Sequence, residues 1–137
     1  MKIKLEPWAQ MPSRGHAADA GLDLRTPRAV TVPARGSVEI DTGVHNEIPH
    51  GLVGFLKSKS GRNVKLNIVG EGVIDAEYTG SIVAKLYNHG DHPVDFKEGD
   101  KIIQIVFLPV YIPHKFQFVH EFEQTERGDG GFGSTGR

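Results

Sequence analysis

The apolar residues of this chain come in short runs rich in β-branched side chains, and none repeats at helical spacing. The runs cover residues 3–5, 30–32, 37–40, 52–56, 65–69, 81–87, 94–96, 101–110 and 115–119. Turn-forming stretches separate them: Pro33-Ala34-Arg35-Gly36, Pro49-His50-Gly51, Asn88-His89-Gly90-Asp91 and Lys97-Glu98-Gly99-Asp100. Many short strands punctuated in this way predict an all-β sandwich or barrel. Without a sustained 3.6-residue period there is no place for a long helix. One short helical turn is expected after Ser60-Gly61. The run 81–87 partly alternates polar and apolar residues, as a half-buried strand does. The run 102–108 is nearly all apolar and predicts a strand buried on both faces. Gln104 interrupts it, and a buried amide without partners costs about 1–3 kcal/mol.

The 137 residues fit one domain. A β domain is expected over 1–122, followed by a mobile tail over 123–137 in which Phe132 is the one large apolar residue. The formal net charge of −1 argues against direct nucleic-acid binding. With no cysteine, thiolate metal sites and cysteine nucleophiles are excluded. The opening Met1-Lys2-Ile3-Lys4-Leu5 leads into no apolar h-region, and no stretch has the ~20 apolar residues that cross a bilayer. A cytoplasmic protein without membrane contact is expected.

Four stretches carry side chains suited to chemistry. In Gly128-Asp129-Gly130-Gly131-Phe132-Gly133-Ser134-Thr135-Gly136 the glycines let consecutive N–H groups converge on an anion, and the hydroxyls of Ser134 and Thr135 add donors. Arg127 and Arg137 flank it and suit phosphate, and Phe132 suits stacking on a base. P-loop and dinucleotide-binding readings fail, because both need a helix after the glycines and only four residues follow Gly133. A plain flexible tail remains the alternative. The second stretch, Gly70 to Gly80, reads as a hairpin-like element in which Asp75 suits a partly desolvated general base and Tyr78 suits stacking on a sugar; an acidic turn is the alternative. In Lys59-Ser60-Gly61-Arg62 a helix start offers donors to phosphate, or forms a simple turn. Asp19 and Asp23 are hard ligands of the type Mg²⁺ takes, or belong to a polar bend. Asp41-Thr42-Gly43 has the look of an aspartic-protease signature, but Val44 replaces the expected small residue and no flap element is evident. His89 and His92 read as part of a solvated turn.

Together and in this order, these pieces resemble the trimeric dUTPase family. Ala20-Gly21-Leu22-Asp23-Leu24 resembles its first motif, Lys59-Ser60-Gly61 the second, and Gly72-Val73-Ile74-Asp75-Ala76-Glu77-Tyr78-Thr79-Gly80 the third. Gly99-Asp100-Lys101-Ile102-Ile103-Gln104 resembles the fourth, and residues 127–136 the fifth. Lys59 and Lys101 stand where the family usually carries arginine, which keeps the charge and loses the bidentate fork.

The resemblance implies a jelly-roll-like β-barrel with at most one short helix. It implies a homotrimer with shared active sites that hydrolyses dUTP to dUMP and pyrophosphate, limiting uracil in DNA and supplying dUMP for thymidylate synthesis. In that scheme Asp75 activates the water that attacks the α-phosphorus in line, Gln104 contacts water and α-phosphate, and Tyr78 excludes a 2′-hydroxyl. Gly70 and Gly72 read the uracil edge. Lys59, Ser60 and Gly61 hold phosphates, and Asp23 holds Mg²⁺ through water. Phe132 caps the base, and Arg127, Gly133, Ser134 and Thr135 close over the γ-phosphate. A dCTP deaminase-like paralogue and a non-catalytic trimeric β module are the other readings. The former lacks this Ile-Asp-x-x-Tyr arrangement.

Overall fold

The computed structural model describes residues 1–131. Its strands are β1 (Lys2–Leu5), β2 (Gly21–Arg25), β3 (Val30–Val32), β4 (Ser37–Glu47), β5 (Leu52–Ser58), β6 (Ile68–Val69), β7 (Glu71–Ile74), β8 (Ser81–Asn88), β9 (Val94–Phe96) and β10 (Lys101–Pro109). One helix, α1 (Ser60–Leu66), lies between β5 and β6. Two four-stranded sheets, ordered β1-β4-β8-β6 and β2-β10-β5-β7, and a β3-β9 ribbon form a jelly-roll-like arrangement. All pairings are antiparallel, and the strands make open sheets instead of one closed barrel.

β8 follows its sequence pattern: Ile82, Ala84 and Leu86 are fully buried while Val83, Lys85 and Tyr87 face outward. These inward residues meet Ile40 and Val44 of β4 and Leu56, Ile103 and Ile105 of the other sheet in one core.

β10 is the strand expected to be buried on both faces, and it is so only in its first half. Ile102, Ile103 and Ile105 are buried, whereas Leu108 is exposed. Two consecutive buried isoleucines break the alternation of a regular strand. The cause is a bulge: Lys101 pairs with Arg25 and Ile103 with the next residue, Leu24, so Ile102 is extra. The bulge restores parity one residue later. Lys101 and Gln104 therefore fall on the same face as their partners Arg25 and Asp23.

Two stretches depart from the strand pattern expected of them. Lys65 and Leu66 close α1, which stops at Asn67 in a left-handed conformation whose N–H bonds the carbonyls of Arg62 and Asn63. Only Ile68–Val69 remain as strand. Residues 115–119 form no strand either, and Phe116 and Phe118 are 74% and 96% exposed. No neighbouring strand of the same chain offers a ladder there, and a lone strand leaves its backbone groups unsatisfied. Among the described residues, regular structure thus ends at Pro109. No helix among the described residues is long and apolar enough to cross a membrane.

Candidate active site

The bulge in β10 and the end of β5 bring the first, second and fourth motifs together. Asp23 on β2 is 4% exposed. Its Oδ2 accepts from Lys101 Nζ at 2.7 Å, and its Oδ1 pairs with Lys59 Nζ. The two lysines that replace the usual arginines therefore converge on one carboxylate. Burial pushes the Asp23 carboxyl up, but hydrogen bonds from Lys101 and Lys59 and their charges outweigh it and hold it below the usual carboxylate range.

Gln104 pairs with Asp23 across the ladder, and its Nε2 donates to the Ser58 carbonyl at 3.1 Å. The amide lies over Gly21, where a Cβ would come within 2.0 Å of Gln104 Oε1. Gly21 is thus required for close approach, not for an unusual backbone angle.

Lys59 is the N-cap of α1, with extended backbone, and Ser60 and Gly61 at the helix start are exposed. Arg62 reaches from α1 to Asp100 at 3.9 Å and lies 5.0 Å over the Phe96 ring. A shallow cleft of about 390 Å³ is lined by Lys59, Gly61, Arg62 and Lys65.

Gly70, just ahead of the third motif, lies at the Ser58 end of β5. Gly70 is buried, its N–H donates to Ser58 Oγ at 2.9 Å, and its carbonyl accepts from the same hydroxyl at 3.2 Å. A Cβ at Gly70 would meet Ile103, Leu86 and the Lys85 carbonyl at 2.9–3.0 Å. Ser58 thus bonds both backbone groups of Gly70, for which a base-reading role is expected. Ser58 itself carries no sequence signal beyond a serine at a strand end. Gly72 lies on β7, the edge strand of its sheet, opposite Leu56.

Beyond β7, Asp75 is exposed in the single chain and borders a cleft of about 370 Å³ shared with Phe55, Val73, Val110 and Ile112. The Tyr78 ring is 46% exposed, and its hydroxyl donates to the Ser81 carbonyl at 3.0 Å.

The register separates these two groups within one chain. Ile74 is opposite Gly54, so Asp75 lies beside Val53, whereas Lys59 follows Ser58 at the other end of β5. At roughly 3.3 Å per residue, Val53 and Lys59 are about 20 Å apart.

Other candidates resolve simply. Asp19 is exposed, and its carboxylate accepts the His16 N–H at 2.8 Å. Asp41 accepts from Gly43 N at 2.9 Å and from the Ser81 hydroxyl, so Asp41-Thr42-Gly43 is the bulge of β4 with Gly43 at φ 66°. His89 lies near Tyr87 with ring centroids 6.5 Å apart. Arg127 Nε donates to the Gly130 carbonyl within the tail at 3.1 Å. The roles expected of Phe132, Gly133, Ser134 and Thr135 lie outside the described residues.

Two packed antiparallel sheets, with a cationic cleft at one end of β5 and an exposed acidic turn at the other, define a jelly-roll-like β protein. The dUTPase family model matches residues 8–136. The deoxyuridine 5′-triphosphate nucleotidohydrolase of Candida albicans is 40% identical over 140 residues, covering 100% of this chain and 88% of that protein. The enzyme of that name from Escherichia phage T5 is 39% identical, covering 99% and 98%. Among solved structures, Staphylococcus bacteriophage 80alpha dUTPase with dUpNHpp superposes with a TM-score of 0.87 at 32% identity, covering 99% of this chain and 98% of that one. A mutant dUTPase from phage phi11 of S. aureus, described with a structural Mg(II) ion, gives 0.80 at 29% identity, covering 90% and 98%. The chain belongs to the dUTPase family.

Proposed function

We propose that this chain hydrolyses dUTP to dUMP and pyrophosphate in composite sites between the subunits of a homotrimer. The observation that carries the reading is the separation along β5. Asp75 and Tyr78 present exposed side chains at one end, while Asp23, Lys59 and Gln104 gather at the other. Reacting groups must approach to about 3–3.5 Å. A gap of about 20 Å along the strand is closed when a second subunit supplies the missing half. Tyr111, Phe116, Phe118 and Phe122, 74–96% exposed in the arm after β10, provide apolar surface suited to covering by neighbouring subunits.

In this scheme the Asp75 carboxylate accepts a proton from the water that attacks the α-phosphorus. Gln104, fixed over Gly21 and to Ser58, orients that water and the α-phosphate. Lys59, Ser60 and Gly61 face the phosphate chain. The outer edge of β7 around Gly72 offers backbone donors and acceptors to uracil, and Tyr78 fills the space a 2′-hydroxyl needs. Arg127, with Phe132, Gly133, Ser134 and Thr135 beyond it, closes the site. The pyrophosphate leaves in line with the incoming oxygen, and positioning with charge stabilisation supplies most of the acceleration.

Among the described residues no three or more metal-binding side chains gather to ligate an ion directly. Asp23 is the carboxylate there, and with both oxygens held by Lys59 and Lys101 it fits a hydrated Mg²⁺ met through water, not direct ligation. Asp23 would hold it through water, and the bound ion would neutralise phosphate charge. Consumption of dUTP would limit uracil in DNA, and the dUMP would supply thymidylate synthesis. The test is pyrophosphate release from dUTP against dTTP, dCTP and UTP, with and without Mg²⁺. Turnover confined to dUTP is expected. Ammonia release from dCTP, or no turnover at all, would contradict the proposal.

A further inference from the structure

His45 joins three parts of the chain beside the third motif. It lies on β4 just past the bulge, opposite Ser81, with its side chain 16% exposed. Nδ1 is 2.8 Å from the Thr79 carbonyl oxygen, and Nε2 is 3.0 Å from Glu6 Oε1. Both partners are acceptors, so the neutral ring donates to one of them and the protonated ring to both. Glu6 is also held by Lys4 at 3.1 Å. Other charged groups on the elements packed there are Asp41, bonded to Ser81, the Lys2–Glu47 pair at 2.8 Å, the Lys85–Glu39 pair at 3.0 Å and the His50–Glu77 pair at 3.2 Å.

Thr79 belongs to the turn that carries Tyr78. The Tyr78 hydroxyl donates to the Ser81 carbonyl, and its ring lies so close over Gly80 that a Cβ there would fall 2.4 Å from the hydroxyl oxygen. The turn is therefore pinned at three points: Tyr78 to Ser81, Ser81 to Asp41, and Thr79 to His45. Glu77 of the same turn also meets His50 at 3.2 Å, but both of those side chains are exposed.

We propose that His45, held by Glu6, is a positioning residue that fixes the angle of the Tyr78 ring and thereby sets discrimination between deoxyribose and ribose. The inference rests on the reading that Tyr78 excludes the 2′-hydroxyl. When Thr79 is released, the ring swings on the glycine that follows, and the wall against ribose loosens without loss of any group that touches the reacting atoms.

The experiment compares kcat and KM for dUTP and UTP in the full-length protein at one pH. Variants are His45→Ala, His45→Gln, Glu6→Gln and, as a control on the underlying reading, Tyr78→Ala. His45→Ala should lower the dUTP/UTP ratio of kcat/KM about 3- to 10-fold, through better use of UTP with kcat for dUTP little changed. His45→Gln, which keeps one donor for Thr79, should recover most of the ratio. A ratio in His45→Ala equal to wild type overturns the inference, as does a His45→Gln as impaired as the alanine variant. If Tyr78→Ala leaves the ratio unchanged, the underlying reading fails instead. If His45→Ala does not fold, Glu6→Gln carries the test: the ratio should fall in the same direction, and an unchanged ratio overturns the proposal.

Discussion

Lys101 Nζ lies 2.7 Å from Asp23 Oδ2 across the first pair of rungs between β10 and β2, on a carboxylate that is 4% exposed. The contact exists because one extra residue, Ile102, turns Lys101 onto the Asp23 face. Losing a partner of a buried charged group costs about 1–3 kcal/mol. Lys101→Met should lower stability by that order, and Lys101→Arg should lower it less. The folded Asp23 carboxyl lies below its ordinary value of about 3.9. Its stabilising contribution is therefore complete above that value and is lost as pH falls through the folded one. In thermal melts the advantage of wild type over Asp23→Asn should be steady above about pH 5 and shrink below about pH 4. An advantage constant down to the lowest pH would remove the linkage.

Gly21→Ala tests the seat of Gln104. The added methyl meets the far end of a flexible side chain, so the fold should tolerate it at a cost of about 1 kcal/mol. Gln104 must move, and a 1 Å displacement at a reacting centre can cost ~100-fold. Turnover of dUTP should fall at least about 10-fold while the melting temperature changes little. Retained kcat with a displaced Gln104 would take that residue out of the chemistry.

Removing residues 123–137 tests the tail. Arg127 bonds within the tail, and residues 123–129 are all exposed, so their removal should change stability by no more than about 0.5 kcal/mol. Activity should collapse, because Arg127 and the residues after it are assigned to closing the site. Loss of the oligomer in sedimentation would make the tail structural.

Much of the sheet framework is legible in the sequence because its cause is local. β8 alternates, and Gly99 at φ 81° sits in the turn predicted for it. The rest depends on distant partners. Residues 21–25 read as a polar bend because Asp23 points inward, where only lysines 36 and 78 positions away make it tolerable. Residues 115–119 carry a strand pattern with no ladder in their own chain. The motifs locate the candidate site residues, but not their division between the ends of β5, which is set by β5–β7 register. The contact between His45 and Glu6 spans 39 positions and has no local signature.

The central claim is that one chain's Asp75 works with another chain's Gln104. Asp75→Asn removes the proton acceptor and should cut kcat by ~10²–10⁴-fold without loss of stability, since Asp75 is exposed. Gln104→Ala should be similarly inactive. Mixing the two unfolded proteins in equal amounts and refolding them gives half the chains an intact Asp75 and half an intact Gln104. About one third of composite sites in mixed trimers then carry both. The measurement is dUTP turnover of the purified mixed trimers. Recovery toward about a third of wild-type activity is expected for sites shared between subunits, whereas mixed trimers as inactive as either parent would show that each chain builds its own site.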